Sequence, residues 1–110
     1  MSRLKLKNCT PHVIRLKDPS GLMDHFDPCG IVPRLQVKQV DESKKAGFPL
    51  FRTVVGHVEG LPDPEDGVMF ITSTMVAQAA KRPDIVAPDT GPTAIREDGQ
   101  VVAVTRFQIF

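Results

Sequence analysis

The chain has 110 residues, 14 Lys and Arg against 13 Asp and Glu, and 41% hydrophobic residues. That is the size of one domain, residues 1–110, with the composition of a globular chain, which argues against disorder. A net charge of +1 gives no general affinity for nucleic acid, and 6 Phe without Trp or Tyr make a poor stacking platform for bases.

No apolar run approaches the roughly 18 residues that span a membrane. The opening MSRLKLKNCTPH carries charges but no apolar h-region after them, so it does not read as a signal peptide. The expectation is a cytoplasmic protein with no membrane or nucleic-acid partner.

Residues 3–7, RLKLK, alternate basic and apolar. This is a half-buried strand with Leu4 and Leu6 facing in. Asn8-Cys9-Thr10-Pro11 interrupts it, because Pro11 lacks an N–H and holds Thr10 extended. The strand resumes over 12–17, where period-two parity puts His12 on the inner side with Ile14 and Leu16 unless Pro11 resets the register. His12 is then either a satisfied core-edge histidine or a site residue. Basic residues crowd this start (Arg3, Lys5, Lys7, Arg15, Lys17), as a solvated face or a patch for phosphates.

Residues 18–30, DPSGLMDHFDPCG, read as a loop. Residues 31–40 read as a strand with Leu35 and Val37 alternating against Arg34, Gln36 and Lys38, and Pro33 places it at an edge or delays its start. After the polar loop 41–49, residues 50–59 form a second strand and close an antiparallel hairpin. Leu50, Val54 and Val58 fall on one of its faces, Phe51, Thr53 and Val55 on the other.

Residues 60–67, GLPDPEDG, are a turn-rich connection. Residues 68–72 are continuously apolar and predict a central strand. Ser73 or Thr74 caps a short helix over 74–81, with Met75, Val76, Ala79 and Ala80 as its packing stripe. Pro83 ends it. Residues 84–87 are a brief strand, and 88–92, PDTGP, a rigid turn. Residues 93–96 and 101–109 flank EDGQ, where Asp98-Gly99 is the clearest hairpin signal in the chain. The fold class is α+β: a small, mostly antiparallel sheet or partly open barrel with one short helix.

Three constellations carry chemistry. At the corner Thr72-Ser73-Thr74, helix N–H groups and hydroxyls suit an anion, although an ordinary capped helix has the same residues. Arg82, Asp84, Asp89 and Thr90 stand between prolines and project at defined angles. They bind a carboxylate, phosphate or sugar hydroxyl, or else staple loops through Arg82–Asp84 or Arg96–Asp89 pairs. Cys9, His12, His25 and Cys29 have the spacing C-x2-H-x12-H-x3-C, whose ligand types suit zinc, but Pro19, Gly21 and Pro28 stand where a finger's helix would run. The spacing is read as coincidence, and no metal or cofactor is expected. A disulfide between these cysteines is not expected in a cytosolic protein. There is no G-x-S-x-G or H-E-x-x-H enzyme motif.

Asn8-x-Thr10-Pro11-His12 resembles the start of a family of small, largely uncharacterised phage and bacterial proteins. The resemblance continues through Gly60-Leu61-Pro62-x-Pro64-x-x-Gly67, Ile71-x-Ser73, Val76-Ala77, Arg82-x-Asp84 and Arg96-x-x-x-Gly99. It departs at Cys9, where Leu is usual. It implies an accessory protein and, with the residues' chemistry, the site candidates Thr10, His12, Ser73, Arg82, Asp84 and Arg96, to which the corner and the turn add Thr74 and Asp89. The leading expectation is a non-catalytic binder of a small anionic ligand, with sequestration of a nucleotide-derived defence signal as its specific form. A small enzyme acting on a nucleotide or phosphorylated substrate with His12 as acid/base, and an assembly module that forms homo-oligomers through the exposed edge of strand 31–40, are the alternatives.

Overall fold

The computed structural model describes residues 3–110. Its centre is a four-stranded sheet in the order β1-β6-β7-β10: β1 (Lys5–Asn8), β6 (Val68–Ile71), β7 (Ile85–Pro88) and β10 (Phe107–Ile109). β1 and β7 both run parallel to β6, and β10 runs antiparallel to β7. The other three sheets are antiparallel two-stranded hairpins, and none closes into a barrel. The class is α+β, as expected. The core sheet itself is mixed, because α2 (Thr74–Ala80) connects β6 to β7 as a crossover, which a parallel pair requires.

β6 and β7 are continuous apolar runs because a central strand is buried on both faces. Phe70, Ile85, Ala87 and Cys9 face α2 and pack with Ala77, while Ile71 and Val86 are buried on the other side. α2 contributes Val76 and Ala77 to the core. Met75, expected in the packing stripe, is 57% exposed, because the short helix meets the sheet through its small residues. Lys81 is the left-handed C-cap at φ 51°, and its N–H reaches the Ala77 carbonyl.

Around this centre sit the hairpins. β2 (Ile14–Lys17) pairs with β3 (Met23–Phe26), a strand lying inside the segment expected to be loop. The Asp18 carboxylate makes that turn, accepting from Ser20 N–H at 3.0 Å, Ser20 Oγ at 2.6 Å and Leu22 N–H at 3.0 Å. β8 (Ile95–Glu97) and β9 (Gln100–Ala103) form the expected hairpin, and Asp98 (φ 52°) and Gly99 (φ 79°) both have the positive φ of a type I′ turn. Strand 101–109 is broken at Thr105, and its second part is β10, paired with β7. Val104 joins β2 through a bridge to Leu16.

The third hairpin stands apart. β4 (Arg34–Asp41) and β5 (Phe51–Glu59) are the longest strands, and a single helical turn, α1 (Ser43–Ala46), closes their far end where a loop was expected. Pro33 lies just before β4 and is buried. Between Leu35↔Val58 and Val37↔Val55 the register shifts, with Gly56 and His57 on β5 opposing Gln36 alone. This bulge moves Val58 to the face of Val55 and so corrects the strict alternation expected for β5. At the root of the arm, Leu35 and Val55 line a shallow pocket with Met75, Gln78 and Ala79 of α2. The radius of gyration is 16.9 Å, where a compact chain of this length has about 13 Å.

Leu4 and Leu6 share a face, but Leu4 is exposed and only Leu6 is half-buried, because that side opens into a shallow apolar groove with Leu16, Met69 and Phe107. No helix among the described residues is long and apolar enough to cross a membrane.

Candidate functional site

The start motif is a structural knot. Asn8 is fully buried at the end of β1. Its Nδ2 donates to the carbonyls of His12 at 2.7 Å and Phe26 at 2.8 Å, and its Oδ1 accepts from Thr10 N–H at 3.0 Å and Thr10 Oγ at 2.7 Å. That is the full hydrogen-bonding capacity of an amide. Thr10 is thereby committed to the turn. His12 takes part through its carbonyl, and its side chain is exposed. Its expected inward parity fails because residues 10–12 bend and β2 begins only at Ile14.

Ser73 is the N-cap of α2, its Oγ accepting from Val76 N–H at 3.3 Å, and Thr74 follows as the first helical residue, exposed. Thr72 is buried and its hydroxyl donates to the Ser73 carbonyl at 3.0 Å. Arg82 forks onto Asp84, Nε to Oδ1 at 2.9 Å and Nη2 to Oδ2 at 2.6 Å, and its Nη1 reaches the Pro62 carbonyl at 3.0 Å. This guanidinium holds the Asp84 carboxyl below the usual carboxylate range, and the carboxylate raises Arg82 in turn.

Asp89 takes Arg106 as its partner at 2.6 Å and accepts from Gly91 N–H at 2.9 Å. The Arg106 hydrogen bond is the main reason its carboxyl is lowered. Arg96 donates instead to the carbonyls of Gly91 and Thr90. So Arg82–Asp84 is one of the two loop staples considered from sequence, whereas the other pairs Asp89 with Arg106.

These residues do not form one site. Thr10, Ser73 and Asp89 follow the carboxyl ends of β1, β6 and β7, where open parallel sheets commonly bind ligands. Arg82 and Asp84 precede β7, at the other end of the strand, roughly 16 Å away at 3.3 Å per residue. The candidates at both ends are largely engaged by the protein's own backbone and side chains.

A cavity of about 460 Å³ lies elsewhere. It runs along the outer edge of β1, between residues 25–31 and the 62–65 connection, with Phe70 beneath. Lys5, Lys7 and Cys9 reach it at period-two spacing, opposite His25 and Cys29, and Glu65 bonds Lys7 at 3.1 Å. None of the eight expected site residues lines it. The residues that do were legible only as a basic strand face and a cysteine–histidine spacing. The structure brings the two sulfurs of that spacing to 3.6 Å, and no group of three metal-ligating side chains occurs among the described residues.

The chain matches no family model, no curated protein and no solved structure.

Proposed function

We propose that the protein acts by binding and not by catalysis, and that its main partner is a second copy of itself docked along β4. The observation that carries this is the arm. Its strands are the longest in the molecule, yet Val37, Phe51, Val54 and Val55 are 43–57% exposed. A two-stranded ribbon is marginal in water until a further strand or layer covers it. The two edges of the arm differ: β5 carries the bulge and Gly56, which discourage pairing, whereas β4 runs from Arg34 to Asp41 without Gly or Pro. Antiparallel pairing of two β4 strands brings the Arg34 end of each beside the Asp41 end of the other and completes a four-stranded sheet with closed two-fold symmetry.

Sedimentation equilibrium tests this. The wild type is expected as a dimer in the micromolar range, and Val37→Lys with Val40→Lys, both at exposed positions of β4, as a folded monomer. A wild type that stays monomeric at hundreds of micromolar excludes the reading.

The cavity favours a second reading in the same non-catalytic class, a small anionic ligand held beside Lys5 and His25. Its volume lies within the usual range for ligand sites. The resemblance to small phage and bacterial proteins is the reason for an accessory role in the cytoplasm, with sequestration of a nucleotide-derived defence signal as its specific form. Without Trp or Tyr the protein absorbs little at 280 nm, so a co-purified nucleotide dominates the spectrum near 260 nm. Mass spectrometry of the denatured supernatant identifies it. An intact nucleotide that raises the melting temperature supports sequestration; turnover would favour the enzyme alternative, and loss of turnover in His12→Ala would then assign His12 as its acid/base. A tested panel without any thermal shift removes the ligand reading and leaves the assembly reading standing.

A further inference from the structure

We propose that Cys9 and Cys29 form an oxidation-sensitive dithiol that closes to an intramolecular disulfide and locks residues 28–30 against the edge of β1. The two sulfurs stand 3.6 Å apart across the wall of the cavity. The backbone between them is already paired. Asn8 bridges Pro28 in the parallel sense, and the Cys29 N–H donates to the Asn8 carbonyl at 2.8 Å. Adjacent strands lie about 4.8 Å apart, inside the Cα range of about 4.4–6.8 Å that disulfides adopt. Asn8 Nδ2 on the Phe26 carbonyl holds the same two segments from the side. The remaining sulfur movement, to a bond of about 2.05 Å, is within reach of side-chain rotation.

The two cysteines divide the chemistry. Cys29 is exposed and meets the oxidant first, whereas Cys9 is buried. Burial, together with the hydrogen bond to Cys29, pushes the Cys9 thiol up to about 12, so it stays protonated until its neighbour is oxidised. With a hydroperoxide as oxidant, the Cys29 thiolate attacks one peroxide oxygen. The S–O bond forms, the O–O bond breaks, and the leaving oxygen takes a proton to become water or an alcohol. The Cys9 sulfur, losing its proton, then attacks the Cys29 sulfenic acid; the S–S bond forms, the S–O bond breaks, and water leaves. The sum is two thiols and one hydroperoxide giving a disulfide, water and the reduced oxidant.

Intact mass after hydrogen peroxide treatment, followed by alkylation of the denatured protein, reads the outcome. The wild type is expected to lose about 2 Da and both alkylatable thiols together, as a monomer, and to recover them with dithiothreitol. Closing a loop of about 20 residues should raise the melting temperature by about 10–20 °C. In Cys9→Ser the exposed Cys29 should instead gain oxygen, and in Cys29→Ser the buried Cys9 should react at least about tenfold more slowly with thiol reagents under native conditions. The proposal is overturned if oxidised wild type accumulates sulfinic Cys29 beside a free Cys9 thiol, or if its disulfides are intermolecular. The wild-type mass measurement alone decides this should either variant fail to fold.

Discussion

The central sheet and the arm are both built from β-strands rich in Val, Ile and Phe, yet they solve opposite problems. β6 and β7 have four residues each, and five of these eight are buried: Phe70 and Ile85 are 1% exposed and Ile71 is 0%. β4 and β5 are twice as long and bury almost none, with Phe51 57% exposed. A strand's apolar content therefore says that it needs cover, and position in the sheet says whether its own chain supplies it. The crossover helix α2 supplies it for β6 and β7. For the arm, that helix stands beside the root, where Met75 and Ala79 line a pocket with Leu35 and Val55, and Phe51 at the far end stays exposed.

The sharpest way to break this contrast is to truncate one phenylalanine in each region. Phe70→Ala leaves a cavity beneath α2 and should cost about 3–5 kcal/mol in urea denaturation, enough to threaten the native state. Asn8→Ala should follow at about 3 kcal/mol, because it strips partners from the His12 and Phe26 carbonyls and from Thr10, all tied to one buried amide. A milder loss tests the edge of the core. Arg82→Ala should cost about 1 kcal/mol, since the fork onto Asp84 is only partly buried.

The same pair predicts a pH dependence. Because Asp84 is lowered in the fold, its contribution is complete above the unfolded carboxylate value and is lost as pH falls through the lower folded value. Asp84→Asn should thus be less stable than wild type at neutral pH and converge with it in acid. Thermal melts of both proteins from pH 7 down to pH 2 check this, and parallel curves would remove the pair from the account. Smallest of all, Phe51→Ala should change monomer stability by no more than about 0.5 kcal/mol, and a larger loss would mean that the arm is already covered within the chain.

Much of the local structure was legible. The Asp98-Gly99 turn, the Ser73 cap, the apolar run of β6 and the 34–59 hairpin each follow from short-range rules. β3 was missed because Pro19 and Gly21 look like loop residues, and the Asp18 side chain that organises them into a hairpin turn leaves a weak local trace. The candidate site was less legible. Arg82, Asp84, Asp89 and Arg96 have the chemistry of ligand binders, but whether their donors and acceptors face a ligand or the protein's own carbonyls depends on neighbours distant in the chain. Arg106, the partner of Asp89, carried no local signal at all.

By itself the sequence determined the α+β class, the strands of β4, β5, β6 and β9, the Asp98-Gly99 turn and the Ser73 cap, since these rest on periodicity and on backbone preferences within a few residues. Tertiary structure alone decided that β1 lies parallel to β6, that the bulge turns Val58 to the face of Val55, and that Cys9 and Cys29 meet across a cavity edge. Pairing between strands is set by the burial of whole faces, and no residue carries that information in its own neighbourhood.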